Sequence, residues 1–261
     1  GRRAEPLRRR RTEGLTGRTH VTEPAGTASS EPPTAPEGPD PADAVVRQRL
    51  LDRYPDAADG LERYAALLAG DGVVRGLIGP REVGRLWSRH LANCAVLEEL
   101  VPEGAQVADV GSGAGLPGLP LALVRPDVRV VLVEPLLRRS TFLSEAVEAL
   151  GLGERVEVLR GRAEDVALEV DVVTARAVAP LDRLAGWTLP LARLGGTLLA
   201  LKGEGALEEI VASAAALEKV GGGRAEVLEC GVGLVDPPTT VVRVVRLAAG
   251  RRKGRSAGGA R

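Results

Sequence analysis

Aromatic residues and cysteine are both scarce in this sequence. Phe, Trp and Tyr make up only 2% of its 261 residues, so a hydrophobic core must be built mainly from Leu, Val and Ala. Such a core suits helices packed on a parallel sheet, because strands buried on both faces are aliphatic. The two cysteines, Cys94 and Cys230, are too few for a disulfide framework or a zinc cluster. We therefore expect no metal site and a reducing compartment, the cytoplasm.

Long apolar runs are also lacking. No stretch reaches the roughly 18 to 20 apolar residues that a membrane-spanning helix requires. The basic residues near the N-terminus lead into polar, proline-rich sequence rather than into the apolar segment of a signal peptide. Because 44% of the residues are nevertheless hydrophobic, the chain can form one or two folded domains. We expect no membrane partner.

Charge is balanced over the whole chain but not along it. Residues 1–20 carry a net charge of +5, residues 21–43 carry −5 and residues 249–261 carry +5, which leaves −5 on the middle of the chain. This distribution excludes a nucleic-acid-binding domain that is basic throughout. The basic ends either contact phosphate or are solvated tails, and their composition favours the second alternative.

The chain divides into four parts by composition and periodicity. Residues 1–43 are polar and rich in proline, which predicts a disordered N-terminal extension. Apolar residues recur at helical spacing over residues 44–100 and predict a helical N-terminal region. Residues 101–248 alternate between strand and helix patterns with short connections, which predicts a parallel sheet with right-handed crossovers. Residues 249–261 form a basic tail that we also expect to be disordered.

The order of the predicted elements indicates the fold class. The two final strand-like segments, 225–232 and 239–247, are joined by a short turn at Asp236, Pro237 and Pro238, so they must pair antiparallel. An α/β doubly wound parallel sheet of the Rossmann-like type that ends in such a hairpin is typical of class I S-adenosylmethionine-dependent methyltransferases. The preceding elements are predicted strands at 106–110, 129–134, 155–160, 171–175 and 196–201 and predicted helices at 82–100, 117–125, 137–150, 181–193 and 204–220.

The strongest motif is a glycine-rich loop after the first of these strands, in residues 107–118 (VADVGSGAGLPG). Gly111, Gly113 and Gly115 would let a ligand approach the backbone closely. Their G-x-G-x-G spacing is typical of S-adenosylmethionine sites and differs from the G-x-G-x-x-G of dinucleotide-binding oxidoreductases. A strand-to-helix turn without a ligand is the simpler alternative, but the density of glycines argues against it.

Acidic residues follow the next two strands. Glu134 ends the second strand, near the spacing at which an acid accepts hydrogen bonds from ribose hydroxyls. Ala163 and Glu164 follow the third strand, where this fold usually flanks the adenine. Each feature alone has an ordinary explanation, as a solvated acid or as the start of a helix. Three features in order at three successive strand ends predict an S-adenosylmethionine site.

Several segments around these strand ends are distinctive, namely 88–91 (SRHL), 109–120 (DVGSGAGLPGLP), 136–143 (LLRRSTFL), 162–164 (RAE), 176–179 (RAVA) and 201–203 (LKG). On these segments, residues 81–203 resemble the bacterial RsmG family, once called glucose-inhibited division protein B, in its actinobacterial type. The resemblance implies methylation of 16S ribosomal RNA at guanine N7, at guanine 527 in the conventional rRNA numbering. It also implies that Gly111, Leu116, Ala163, Glu164 and Arg176 contact S-adenosylmethionine.

The chemistry implied by this resemblance does not need a general base. Guanine N7 carries an exposed lone pair and no proton, so in-line positioning is sufficient. The Asp/Asn-Pro-Pro-aromatic motif of enzymes that methylate exocyclic amines is absent after the fourth strand, where residues 174–177 read TARA. Cys94 and Cys230 are better interpreted as small buried residues than as nucleophiles. We therefore name no catalytic residue.

Four side chains are candidates for contacts with RNA. Arg138, Arg139 and Lys202 lie near the carboxyl ends of strands, where open α/β sheets bind ligands. They are either phosphate contacts or solvated surface charges. His90 is either a packed structural residue or an RNA contact, whereas His20 falls in the predicted extension. The expected partner of this monomeric enzyme is 16S ribosomal RNA within the small ribosomal subunit or an assembly intermediate.

The chain departs from the family pattern at two places. Where the family has His-x-x-Asp-Ser, Asn93 and Cys94 follow His90, so no role of the family's aspartate and serine is transferred. The family's upstream Asn-Leu-Thr is replaced by residues 76–79 (GLIG). Three alternatives remain open at this point: a small-molecule methyltransferase of the same fold, a nicotinamide-dependent oxidoreductase and a non-catalytic RNA-binding module.

Overall fold

Aliphatic strands form one seven-stranded sheet in the computed structural model of this protein, which describes residues 40–250. The predictions for residues 1–39 and 251–261, including His20, lie outside the described residues. The strands are β1 (Gln106–Val110), β2 (Arg129–Val133), β3 (Val156–Leu159), β4 (Val170–Arg176), β5 (Ala192–Lys202), β6 (Glu226–Cys230) and β7 (Thr239–Val245). The α-helices are α1 (Pro41–Arg53), α2 (Ala58–Leu67), α3 (Asn93–Ala95), α4 (Gly118–Val124), α5 (Leu137–Ala149), α6 (Leu181–Thr188) and α7 (Ala206–Lys219).

The strand order confirms the predicted fold class. The sheet runs β3-β2-β1-β4-β5-β7-β6. Strands β1 to β5 pair in parallel, and β7 pairs antiparallel with both β5 and β6. The chain winds outward from β1 to β3 and then returns to place β4 on the other side of β1. Ligands of open α/β sheets bind at such a reversal, outside the carboxyl ends of the strands.

Both faces of the sheet are buried, which explains the aliphatic strands. Successive residues of a strand point to opposite faces, so Val172 joins one hydrophobic core and Val173 the other. The first core contains α4 and α5 together with Leu50, Leu61 and Leu68 of the N-terminal region. The second core contains α6 and α7. The helical N-terminal region therefore covers the sheet and shares its core. Within residues 40–250, no helix is long and apolar enough to cross a membrane.

The helix predicted over residues 82–100 is a succession of short turns, which we call the segmented helix. It consists of 3-10 turns at Pro80–Arg85 and Val96–Leu100, a π-helical turn at Trp87–Ala92, and α3. The amide nitrogen of Asn93 donates to the carbonyl oxygens of Ser88 and Arg89, at 2.8 and 3.1 Å. A side chain that bonds to backbone carbonyls in this way disturbs the regular ladder of a helix.

Two other boundaries differ from the prediction. The glycines at 70–72 do not break the second helix, because α2 continues into a π-helical turn over Leu68–Gly72. The helix predicted at 181–193 ends at Thr188, and β5 already begins at Ala192. Pro190 has no N–H to donate, which is consistent with the end of the α-helix here.

The predicted end of the N-terminal extension at residue 43 is too late. Helix α1 begins at Pro41, and the Asp40 carboxylate accepts a hydrogen bond from the Ala42 N–H at 2.9 Å. Asp43, within α1, is only 4% exposed. Its carboxylate accepts from the Trp87 and Ser88 N–H groups at 3.2 and 2.6 Å. Asp43 thereby fixes α1 against the segmented helix and satisfies two of its amides.

One carboxyl group lies in the centre of the fold, at the end of β1. Asp109 is fully buried, and its Oδ2 accepts from the Gly118 N–H at 3.0 Å. Its Oδ1 has no hydrogen-bond partner among the described residues. Burial raises the pKa of Asp109 to about 7, against the opposing effects of the Gly118 hydrogen bond and the positive charge of Arg176.

We expect Asp43→Ala to lower the free energy of unfolding by about 1 to 3 kcal/mol, because two inward-facing amides lose their acceptor. Urea unfolding measures this quantity. The matched control is Asp56→Ala, which removes an exposed carboxylate from the same region and should change stability by less than about 0.5 kcal/mol. Equal effects of the two substitutions would contradict the role of Asp43.

We expect Asp109→Asn to change how stability depends on pH. The pKa of Asp109 is higher in the folded protein than its ordinary 3.8, so the folded state binds the proton more tightly. The wild type should therefore lose stability as the pH rises from about 4 to about 7. Asparagine has no such proton, so the stability of the variant relative to wild type should rise over this interval. Parallel pH profiles in urea unfolding would refute the assignment.

Candidate functional site

A cavity of about 250 Å³ opens at the carboxyl ends of β1, β2 and β3. It brings together three of the predicted cofactor residues, Gly111, Ala163 and Glu164. Its full lining is Val110, Gly111, Val133, Pro135, Gly161, Arg162, Ala163, Glu164, Val178 and Trp187. Apolar walls of this kind suit a flat heterocyclic ring, with a few polar groups to orient it.

The three loop glycines have positive φ angles, of +71° at Gly111, +58° at Gly113 and +98° at Gly115. Glycine adopts this conformation without steric cost. A Cβ on Gly111 would lie 2.8 Å from Val178 Cγ2, and one on Gly115 would lie 2.4 Å from Leu119 Cδ1. The nearest atom to a Cβ on Gly113 would be 3.8 Å away. Protein packing therefore requires two of the glycines, whereas Gly113 leaves space beside the backbone.

Glu134 joins the glycine loop to the end of β2. It is only 1% exposed, and its carboxylate accepts from the N–H groups of Gly113 and Leu136, both at 3.0 Å. Arg139 Nη1 lies 3.8 Å from the same carboxylate. The two oxygens of a carboxylate offer about four lone-pair sites, so Glu134 can accept from further donors. The predicted ribose acceptor thus lies beside Gly113, although it does not line the cavity wall.

Arg176, the last residue of β4, lies near the reversal point between β1 and β4 and not in the cavity lining. Its guanidinium contacts Nδ1 of His90, and its Nη1 donates to Cys94 Sγ at 3.1 Å. Cys94 is fully buried, and burial raises the pKa of its thiol. The structure therefore places Arg176 against the segmented helix. Leu116, another predicted cofactor residue, is buried within the glycine loop.

His90 is 7% exposed, and its Nε2 lies 3.1 Å from a carboxylate oxygen of Glu82. Burial and the positive charge of Arg176 together lower the pKa of His90 to about 4, against the opposing effect of Glu82. The ring is therefore neutral at pH 7. Of the two roles predicted for His90, this position favours the structural one.

The three predicted basic contacts differ in their surroundings. Arg138 is exposed and Arg139 partly so, both at the start of α5 beside the cavity edge. The side chain of Lys202 is only 12% exposed. Its Nζ donates to the Ala179 carbonyl oxygen at 2.9 Å and to a carboxylate oxygen of Glu209 at 2.8 Å. Lys202 thus holds the segment after β4, so its position favours support of the backbone over contact with phosphate.

Sequence reasoning missed Val178 and Trp187 in the cavity wall and Tyr64 beneath the glycine loop. Tyr64 is fully buried in α2, and its hydroxyl donates to the Ala114 carbonyl oxygen at 2.7 Å. Burial raises the pKa of Tyr64 well above its ordinary value. A tyrosine on the apolar face of a helix signals a buried hydroxyl that needs a partner. Nothing in the sequence identifies that partner as the glycine loop.

Asn93 explains one departure from the family pattern. Its amide oxygen accepts from Thr239 Oγ1 at 2.6 Å, while its amide nitrogen bonds to the segmented helix. A carboxylate could accept from Thr239 but could not donate to the carbonyl of Ser88. The amide therefore uses both of its polar ends in holding the segmented helix against β7.

This set of residues fits S-adenosylmethionine. The open side of Gly113 admits a ligand to the backbone, and the wall around Ala163 and Glu164 can enclose an adenine. Glu134 offers acceptor sites for ribose hydroxyls, and Arg176 offers a planar cation for a carboxylate. These groups lie at the carboxyl ends of β1, β2, β3 and β4 in turn, at one edge of the sheet.

Comparison with known proteins identifies the family of this chain. Residues 57–233 match the family model described as GidB, rRNA small subunit methyltransferase G. The chain is 55% identical over 220 residues to ribosomal RNA small subunit methyltransferase G of Salinispora arenicola, with 80% of this chain and 91% of the relative aligned. It is 56% identical over 243 residues to the protein of the same name in Streptomyces avermitilis, with 89% and 97% aligned.

A solved structure shares the fold at much lower identity. The pyocyanin biosynthetic protein PhzM is 16% identical with a TM-score of 0.50, over 64% of this chain and 58% of that protein. Similarity at this level supports the fold alone. The family model spans more than half of the chain. The two relatives are 55% and 56% identical to this chain over most of their length. The chain therefore belongs to the rRNA small subunit methyltransferase G (GidB) family.

Proposed function

We propose that this protein transfers the methyl group of S-adenosylmethionine to N7 of a guanine in 16S ribosomal RNA. The observation that carries the proposal is the meeting of Gly113, Glu134 and the Ala163–Glu164 wall at one sheet edge, in a chain of this family. The target guanine is the one that the family resemblance implies, guanine 527 in the conventional rRNA numbering.

Each cofactor residue has a distinct role in this proposal. Ala163 and Glu164 flank the adenine, Glu134 accepts from the ribose hydroxyls, and the loop of Gly111, Gly113, Gly115 and Leu116 passes beside the methionine part. Arg176 pairs with the carboxylate of the cofactor. The methylated guanine is cationic, so an unpaired arginine nearby would oppose its formation, and pairing neutralises that effect.

The residues of the chain position the reactants and need not move a proton. When bound, the cofactor supplies an electrophilic methyl group, and guanine N7 already presents a free lone pair. The apolar wall formed by Val110, Val133, Val178 and Trp187 excludes water from one side. The imidazole of His90 is buried and engaged with Glu82 and Arg176, so we assign it no role in proton transfer. Alignment is then the main contribution of the protein.

The RNA would approach over the edge that carries Arg138 and Arg139. Both lie in the first turn of α5, next to the exposed side chains of Leu136 and Leu137. Their positive charges would hold phosphates and fix the register of the RNA. The proposed substrate is 16S ribosomal RNA in the small ribosomal subunit or an assembly intermediate, and the proposed enzyme acts as a monomer in the cytoplasm.

The functional experiment maps the methyl group by mass spectrometry in ribosomal RNA from a strain that lacks the gene. We expect one guanine to lose its N7 methyl group and to regain it when the purified protein acts on small subunits with labelled cofactor. Naked 16S RNA and assembled subunits are tested in parallel to identify the substrate form. If the protein methylates neither form, this result would contradict the proposal and favour a small-molecule methyltransferase.

We expect Gly113→Ala to weaken cofactor binding, measured by calorimetry, by at least about tenfold. A methyl group there meets no protein atom closer than 3.8 Å, so it would obstruct the ligand rather than the fold. The matched control is Gly151→Ala, with φ of +70° and no protein atom within 4 Å. Both variants should lose about 1 kcal/mol of stability from the left-handed backbone. Equal cofactor affinity in the two variants would count against the site.

We expect Arg176→Ala to reduce cofactor affinity by about tenfold or more, the usual effect of losing a hydrogen-bonded charge. Its affinity for 16S RNA, measured by filter binding, should change much less. Arg138→Ala serves as the reciprocal control, because loss of an exposed phosphate contact should weaken RNA binding in a salt-dependent way and leave the cofactor affinity unchanged. Loss of RNA affinity alone in Arg176→Ala would reverse the assignment.

A further inference from the structure

A line of polar contacts runs from the segmented helix into the cofactor site. Arg89 Nε lies 3.0 Å from a carboxylate oxygen of Glu82, and the same oxygen lies 3.1 Å from His90 Nε2. On the other side of the ring, His90 Nδ1 contacts the guanidinium of Arg176. Neither His90 nor Glu82 lines the cavity. Their contacts nevertheless reach a residue to which we assign the carboxylate of the cofactor.

The chemistry of these groups determines the state of the imidazole. A guanidinium can only donate, so His90 Nδ1 must accept, and the proton of the neutral ring must then reside on Nε2. Glu82 provides the acceptor for that proton. The other tautomer would direct an N–H at the guanidinium and leave Glu82 facing a lone pair. The carboxylate of Glu82 therefore stabilises, on the other side of the ring, the same tautomer that the guanidinium of Arg176 requires.

The backbone after Arg176 shows why a firm anchor is useful. Ala177 has a φ angle of +53°, in the left-handed region that residues with a Cβ rarely adopt. The segment is held on its far side by Lys202, which donates to the Ala179 carbonyl oxygen. At its start, the segment is held by the contacts of Arg176 with His90 and Cys94. Val178, between these anchors, packs over Gly111.

We propose that Glu82 and His90 are positioning residues for Arg176. Glu82 keeps His90 in the Nε2-protonated tautomer, and His90 Nδ1 then fixes the guanidinium at the end of β4. The proposal rests on the proposed function only in its consequence for cofactor binding. The tautomer itself is a property of the protein without any ligand, and can be measured separately.

The first test reads the tautomer directly. The chain contains two histidines, so full-length protein with His20→Gln has one imidazole, and long-range proton–nitrogen NMR reports its state without ambiguity. We expect a neutral ring at pH 7 with the proton on Nε2. Glu82→Ala in the same background should shift the population towards the Nδ1-protonated form. An Nδ1-protonated ring in the parent, or an unchanged ring in the Glu82 variant, would overturn the proposal.

The second test separates positioning from packing by calorimetry with S-adenosylmethionine. His90→Asn places an amide oxygen near the position of Nδ1 and can still accept from Arg176. His90→Gln places its amide near the position of Nε2, keeps the contact with Glu82 and loses the acceptor for Arg176. We expect the glutamine variant to bind the cofactor about tenfold more weakly than the asparagine variant. A role in filling space alone predicts the opposite order, because glutamine is closer to histidine in size.

A third test, with two Glu82 variants, covers the case in which neither His90 substitution folds. Glu82 is partly exposed, and Glu82→Gln keeps an acceptor for the Nε2 proton, so its cofactor affinity should stay near that of wild type, whereas Glu82→Ala should lose affinity. Equal affinities of the two Glu82 variants would also overturn the proposal. If the wild-type protein binds no S-adenosylmethionine, the proposed function fails, and the NMR result still decides the tautomer.

Discussion

The proposed cofactor site depends on the hydrogen bonds that the buried carboxylate of Glu134 accepts. By accepting from the amides of Gly113 and Leu136, it joins the loop after β1 to the turn after β2. The carboxylate itself is only 1% exposed, and a buried carboxylate is costly unless it is hydrogen-bonded. The bonds of Gly111 and Ser112 to the Val133 carbonyl reinforce the same junction. The glycine loop is thus held in shape by the neighbouring strand.

The helical N-terminal region supports this junction from below. Tyr64 bonds to the carbonyl of Ala114, Asp43 orders the segmented helix, and His90 reaches Arg176 at the end of β4. These contacts, together with the shared hydrophobic core, join the region to the residues that we propose as cofactor contacts.

The features that could be predicted from sequence are those encoded locally. Strand and helix patterns alternate with distinct periods, and the glycine loop and Glu134 follow their strands within one or two residues, so the fold class and three strand ends could be inferred. The segmented helix could not, because its shape depends on Asp43 and on the side chain of Asn93. Lys202 looked like a surface cation, since the carbonyl of Ala179 that it contacts lies 23 residues away in sequence. Pairings of this kind arise only when the sheet brings separate strand ends together.

The bond between Asn93 and Thr239 spans 146 positions of the chain. The amide of Gly231 likewise bonds to the Glu99 carboxylate, across 132 positions. Residues near the C-terminal end of the fold therefore complete the packing of a helix that the ribosome makes much earlier. Neither of these two hydrogen bonds can form during synthesis before its C-terminal partner, Gly231 or Thr239, has left the ribosome. The contacts that hold the segmented helix against the terminal hairpin are consequently among the last in the protein that can form.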